Sequence, residues 1–288
     1  MRRLVAVLAV AVAALQLLLF LVTEQQARVA ISLIGSDVEL TALRWAWAVL
    51  APLPWLAGAG LLCARRPRLG TAVLLAAAPL LVAAGLPTLP AVVVEGWWRD
   101  AAAFEVLAVV GPPVVLLLAV AVAALAWWSR PRGGWRRAVP GPSGAYVAVA
   151  VLAWLPTALQ TLELSPPGAM RSFARTELSR LDGIEAVASV TGAVVAAALL
   201  FVAPRLREDV GGAILLVFAV PQLTSAIGDL AQVRETEFLI VTPPAVLGMV
   251  GLVGVLVVAV RWLVVTSSPP PAGDDGAAGP RPDQAPPG

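Results

Sequence analysis

Three polar side chains in an otherwise apolar stretch, Gln222, Ser225 and Asp229, have the types and spacing best suited to binding a solute. They stand at positions i, i+3 and i+7, so a helix presents all three on one face. Polar groups within hydrocarbon cost free energy and usually mark a function or a partner. An amide, a hydroxyl and a carboxylate on one face predict a site for a cation or a small polar solute. The alternative interpretation is a set of hydrogen bonds between neighbouring helices.

Two glutamines and two glutamates extend this hypothesis to other parts of the chain. Gln16 and Gln160 each end an Ala-Leu-Gln triplet, and Glu105 and Glu237 each precede a Pro-Pro pair. Acids near outer helix ends would form an acidic entrance for cations, or would simply lie in interfacial water. The complete predicted binding set is Gln16, Glu105, Gln160, Gln222, Ser225, Asp229 and Glu237.

The missing residue types exclude most enzyme chemistry. The sequence has no His, Lys or Asn, and Cys63 is its single cysteine. It therefore lacks the usual imidazole ligand and proton shuttle, a Schiff-base amine, and any cysteine cluster or intrachain disulfide. No phosphate-binding or dinucleotide-binding motif is present. We predict that the protein is not an enzyme and holds no metal and no cofactor. The net charge of only +2 gives no reason to expect a nucleic-acid partner.

The residues of the predicted binding set lie in or beside long apolar stretches. These stretches predict a membrane protein. Hydrophobic residues make up 59% of the chain, charged residues only 13%, and the mean hydropathy is +0.87. A bilayer core needs about 20 apolar residues for each helical span. The fold class predicted is an all-α polytopic transmembrane bundle of eight spans. They lie near 4–23, 45–64, 69–94, 104–128, 145–163, 184–204, 211–231 and 238–262.

The distribution of arginine predicts the orientation of the chain. If the spans alternate, 13 of the 20 basic residues fall on the side of the N-terminus, and 13 of the 18 acids fall on the other side. Loops rich in Arg stay in the cytoplasm. We expect a multi-pass protein of the plasma membrane with both termini cytoplasmic. The absence of Lys and Asn, whose codons are rich in A, adds the hypothesis of a bacterium with a GC-rich genome.

Matching features in the two halves predict an internal repeat. The Ala-Leu-Gln triplets, two Pro-Arg-Leu triplets and two Pro-Pro pairs occur in the same order in each half. Four spans in each half make the repeats parallel. The predicted domains are repeat 1 over 1–128, a basic cytoplasmic linker over 129–143, repeat 2 over 144–266, and a disordered Pro-rich cytoplasmic tail over 267–288.

Proline, glycine and the N-terminal segment carry further expectations. Pro112-Pro113 and Pro243-Pro244 are expected to kink spans 4 and 8, because proline cannot donate to the preceding turn. Gly248, Gly251 and Gly254 share one face of span 8 and predict close approach of another helix. The apolar run from Leu4 to Val22 is longer than that of a signal peptide and is interpreted as a retained helix. Loop 165–183 has the spacing of a short helix on the outer membrane surface.

Two functions from different classes follow from this sequence. The favoured one is a non-catalytic membrane component, either a scaffold or an accessory subunit. The alternative is a small-solute or cation permease with a path between the two four-helix halves. Coupled transporters generally hold ionisable groups near the bilayer midplane, whereas every acid here lies near a helix end or in a loop. Besides the lipid bilayer, the expected partners are another membrane protein or further copies of this chain.

Overall fold

A computed structural model describes residues 1–34, 49–86, 103–131, 133, 135–136, 143–163, 178–235 and 243–267. Within these ranges the regular structure consists of helices, with no strand. The α-helices are α1 (Arg2–Ile34), α2 (Leu53–Cys63), α3 (Pro67–Gly85), α4 (Ala103–Ser129), α5 (Gly144–Glu163), α6 (Leu178–Val202), α7 (Glu208–Glu235) and α8 (Pro243–Ser267). A single 3₁₀ turn, Ala203–Arg205, joins α6 to α7.

The length and composition of these helices support the predicted membrane class. In the described parts of the chain, four helices are long and apolar enough to cross a bilayer. Their apolar segments are Arg2–Val22 in α1, Pro67–Gly85 in α3, Val110–Ser129 in α4 and Val246–Val265 in α8. Helix α2 and the apolar segments of α5 and α6 are shorter. Each predicted span overlaps one helix, but the number of eight crossings stays a prediction.

The end of α1 and the role of the prolines in α8 differ from what the sequence predicts. Helix α1 continues to Ile34, eleven residues past the predicted end of span 1 at residue 23. The prediction that Pro243-Pro244 kinks span 8 is wrong, because these prolines begin α8. Proline is tolerated in the first turn of a helix, where its missing N–H would have no intrahelical acceptor. Pro112-Pro113, by contrast, lie inside α4 as expected.

The helices pack with the same neighbour pattern in the two halves of the chain. In the first half, α1 and α3 each pack against α2 and α4. In the second half, α5 and α7 each pack against α6 and α8. The halves meet through α3, which packs against α6 and α7. Residues 164–177, which include most of the predicted outer-surface helix, and residues 268–288, where the sequence predicts a disordered tail, lie outside the described residues.

The core is apolar and includes the first helix. Val5, Ala9 and Val12 of α1 are fully buried in the same cluster as residues of α7 and α8. Their spacing of three and four residues places them on one face of α1. Helix α1 is therefore part of the packed bundle, and its retention in the mature protein stays a prediction.

A close helix crossing lies at the glycine face of α8. A Cβ atom added at Gly251 would collide with the backbone of Leu152 and Ala153 in α5, and one added at Gly248 would collide with Pro156. The prediction that this face admits a neighbouring helix is confirmed, and the neighbour is α5. Small residues allow backbones to approach closely, which is a main source of packing energy between membrane helices.

Candidate functional site

Gln16 is the predicted site residue whose environment the structure describes most fully. It lies near the middle of α1, and its side-chain Oε1 is buried with no hydrogen-bond partner. A buried acceptor without a partner carries a desolvation cost of about 1–3 kcal/mol. Helix α1 packs against α2 and α4, so Gln16 belongs to the first half of the bundle.

The three-residue set of the second half lies on one continuous helix. Gln222, Ser225 and Asp229 all belong to α7, so the predicted sharing of one helix face is confirmed for the backbone. The side chain of Gln222 is half-buried. The backbones of Glu105 and Gln160 lie in α4 and α5. Glu237, and the side chains of Glu105, Gln160, Ser225 and Asp229, lie outside the described residues.

An apolar cleft between the two halves is a feature that the sequence did not reveal. Its volume is about 360 Å³, within the range of about 300–1,000 Å³ that is usual for ligand sites. Four helices contribute to its walls: α2 and α3 from the first half, and α7 and α8 from the second. The lining residues are Leu50, Leu53, Pro54, Ala57, Leu61, Leu69, Val73, Ala213, Leu216, Val217, Val220 and Leu263.

The interface between the two halves, which we call the seam, differs between its two sides. On one side, α3 packs against α6 of the other half. The same neighbour pattern would pair α7 with α2 on the opposite side, but there the cleft lies between them, lined by Ala57 and Leu61 of α2 and by Leu216 and Val220 of α7. The two halves therefore meet asymmetrically, and the cleft is the consequence.

A turn rich in arginine lies along the chain between two residues of the cleft wall, Leu61 and Leu69. The backbone N–H of Arg66 donates to the carbonyl of Leu61, a residue of the cleft wall, at 2.9 Å. Arg68 directly precedes Leu69, another wall residue, in the first turn of α3. Arg65 and Arg66 are exposed, and Arg68 is half-exposed. We call Arg65, Arg66 and Arg68 the arginine turn.

Arg65 holds a backbone conformation that L-residues rarely adopt. Its φ angle is +60°, in the left-handed region, directly after the end of α2. This position after a helix usually holds glycine, because a Cβ atom in the left-handed region approaches the following carbonyl oxygen. The tight turn brings the start of α3 back beside the end of α2, so that the chain carries three arginines between the wall residues Leu61 and Leu69.

The linker and the start of α7 meet at the end of the bundle where α6 ends. The N–H of Arg207 donates to the carbonyl of Trp135 at 2.9 Å, and Arg136 forms an isolated bridge with Leu206. Arg207 also forms a two-point ion pair with Asp209, with both N···O distances at 3.2 Å. The carboxylate of Asp209 therefore compensates the charge of Arg207.

In the described parts of the chain, no group of three or more His, Cys, Asp or Glu residues could hold a metal ion. The cleft walls are hydrocarbon, and the arginine turn borders the wall residues Leu61 and Leu69 along the chain. Hydropathy marks both wall residues and lipid-facing residues as apolar, so it contained no signal for the cleft.

Comparisons with known proteins leave this chain without an assigned family. No family model, no curated protein and no solved structure matches it.

Proposed function

We propose that this protein is a non-catalytic component of the plasma membrane, a scaffold or accessory subunit that crosses the bilayer eight times with both termini cytoplasmic. The observation that carries this proposal is the apolar nature of its interior. Among the described residues, Thr71 is the one non-aromatic polar residue that is buried as a whole, while single polar atoms of Gln16 and Tyr146 are also buried. The Thr71 hydroxyl donates to the carbonyl of Pro67 in its own helix at 2.6 Å. Because this hydroxyl bonds within its own helix, it offers no polar partner to a solute.

The described surfaces between the halves, where the permease hypothesis needs a path, are apolar. Leu215 and Phe218 of α7 have no exposed surface, and the walls of the cleft consist of apolar side chains. A polar solute moving between α3 and α7 would lose its hydration without replacement hydrogen bonds, at a cost of several kcal/mol. This arrangement favours a structural role over a conducting one.

The proposed orientation is supported by the positions of the helix ends. The cleft wall combines Leu61 near the end of α2, Leu69 at the start of α3 and Leu263 near the end of α8. An alternating chain puts these ends on one side of the bilayer, and their loops are rich in arginine, as cytoplasmic loops are. Cys63, the single cysteine of the chain, is exposed at the same end.

Cys63 provides the test of orientation. A thiol reagent that cannot cross membranes should label it in inverted vesicles and not in intact cells. The control is the Cys63→Ser variant, which should remain unlabelled in both preparations. Reporter tags at Arg136 and Gly288 should both be cytoplasmic. Labelling from outside intact cells, or tags on opposite sides, would contradict the proposed topology.

The scaffold role is tested by extraction and by flux. Extraction of the native membrane into polymer-bounded nanodiscs should recover a second membrane protein, or further copies of this chain, at a fixed ratio. The purified chain in liposomes should conduct cations no faster than empty liposomes. A monomeric chain that conducts by itself would overturn the proposal.

The unpartnered Oε1 of Gln16 is the one observation that favours the permease alternative. Unpaired buried polar groups in native proteins call for an explanation, and a binding site is one. Under this alternative, Asp229→Asn and Glu237→Gln should abolish flux in liposomes without loss of folded protein. Flux that is unchanged in both variants would remove these residues from any transport mechanism.

A further inference from the structure

The dimensions and lining of the cleft match one hydrocarbon chain. From Leu53 to Leu61 the wall formed by α2 extends about 12 Å, at about 1.5 Å for each helical residue. The hydrocarbon of one leaflet is about 15 Å deep, half of the bilayer core. The cleft starts beside the arginine turn and runs toward the membrane centre, so its depth is that of a single leaflet. A whole helix, about 10 Å wide, is too large for a cleft of about 360 Å³.

The arginine turn supplies the positive charge that complements an anionic headgroup. Arg65, Arg66 and Arg68 follow and precede the wall residues Leu61 and Leu69. No acid of the described residues forms an ion pair with these three arginines, whereas Arg207 is engaged by Asp209. Basic pockets between helices on the cytoplasmic side are the usual setting for anionic phospholipid headgroups. Arg65 adopts a left-handed conformation that glycine would adopt without strain. An arginine at this position therefore adds a charge that the geometry of the turn does not require.

We propose that the cleft between α2, α3, α7 and α8 binds one acyl chain of an anionic phospholipid from the cytoplasmic leaflet, whose phosphate is held by the arginine turn. The lipid fills the space between α2 and α7 and closes the open side of the seam. This inference rests on the proposed placement in the membrane and is independent of the scaffold role.

The test compares two phospholipids with identical acyl chains, phosphatidylglycerol and phosphatidylcholine, by native mass spectrometry of the delipidated full-length protein in detergent. The protein should bind one phosphatidylglycerol more tightly than phosphatidylcholine. An arginine near an anionic surface contributes about a fivefold factor in affinity, so Arg65→Gln/Arg66→Gln should weaken phosphatidylglycerol binding by roughly 5- to 30-fold. Binding of phosphatidylcholine should change little. Arg2→Gln/Arg3→Gln, which removes two exposed arginines of α1, a helix that contributes no residue to the cleft wall, is the matched control and should retain the preference.

A second variant tests the hydrocarbon part of the site. Ala57 lies in the wall yet is exposed to the open side, so Ala57→Trp should fill the cleft without disturbing the core. It should weaken binding of both lipids by roughly tenfold. Ala124→Trp, at an exposed position of α4, is the control of equal size and should bind as the parent does.

Three results would overturn the lipid site. The first is equal binding of the two lipids that neither the arginine nor the Ala57 variant alters. The second is a preference for phosphatidylglycerol that Arg2→Gln/Arg3→Gln removes equally, since this would indicate nonspecific attraction to positive charge. The third is loss of a protein partner from native nanodiscs in Ala57→Trp while lipid binding is unchanged, which would assign the cleft to a protein. Failure of the scaffold proposal, seen as flux or as a chain without partners, leaves the lipid measurements intact.

Discussion

The phenol of Tyr146 donates a hydrogen bond to the backbone carbonyl of Leu200 at 2.5 Å, joining the first turn of α5 to the last turn of α6. The Tyr146 ring also stacks on Trp262 of α8, with centroids 5.8 Å apart and an interplanar angle of 19°. Trp154 adds a second link between α5 and α6 through its Nε1, which donates to the carbonyl of Ala193 at 2.9 Å. These contacts tie three helices of the second half together.

Removing the phenol oxygen should weaken the second half measurably. Tyr146→Phe loses the bond to Leu200 and keeps the ring stacked on Trp262. Hydrogen bonds between membrane helices contribute about 0.6 kcal/mol on average and up to about 1.7 kcal/mol, and a buried bond to a backbone carbonyl belongs at the upper end. Unfolding in SDS followed by circular dichroism measures the loss. Tyr146→Leu, which also removes the stacking, should lose more; equal stability of Tyr146→Phe and the parent would count against the bond.

A methyl group at the α5–α8 crossing should push these helices apart. In Gly251→Ala the new Cβ meets backbone atoms of Leu152 and Ala153, which cannot rotate away as a side chain can. Overpacking of this kind costs about 1–3 kcal/mol. The control is Gly192→Ala in α6, where nothing lies within 4 Å of the new Cβ. That variant should gain up to about 1 kcal/mol from helix propensity. Thermal unfolding in detergent compares the two, and a neutral Gly251→Ala would contradict the close crossing.

Glycine at position 65 should stabilise the protein. The left-handed conformation costs an L-residue about 1–2 kcal/mol, and glycine avoids this cost while losing about 0.5–1 kcal/mol through the freedom of its unfolded chain. Arg65→Gly should therefore raise the free energy of unfolding by about 0.5–1 kcal/mol. Arg66→Gly, where φ is −105°, should bring no such gain. If Arg65→Gly is the less stable of the two variants, the left-handed turn is not present in the folded protein.

Replacing Gln16 by leucine separates the structural and the transport interpretations of its amide. The two side chains are similar in size, and leucine has no acceptor to leave unpaired. Gln16→Leu should raise the free energy of unfolding by about 1 kcal/mol, the lower end of the cost of a buried unpaired group. The scaffold proposal expects native assemblies to persist in this variant, whereas the permease alternative expects flux to disappear. A loss of stability would mean that the amide has a partner in the folded state.

Much of the local structure follows from the sequence because hydropathy and glycine spacing act locally. Each apolar stretch contains one helix, since a chain in lipid must satisfy its own backbone hydrogen bonds. The spacing of Gly248, Gly251 and Gly254 indicated a packing face, and α5 lies against it. The effect of Pro243-Pro244 was mistaken because α8 begins at these prolines, and hydropathy does not mark where within an apolar stretch a helix begins.

The sequence by itself indicated a lipid environment for this protein, its helical class and the concentration of arginine in alternate loops. Only the tertiary structure decided which helices pair, and that α3 packs against α6 while a cleft separates α2 from α7. It also decided that the residues bordering the arginine turn belong to the wall of that cleft. The physical reason is that lipid tails are as apolar as leucine. Hydropathy cannot distinguish a residue that contacts lipid from one that contacts another helix, because that choice depends on how distant segments fit together.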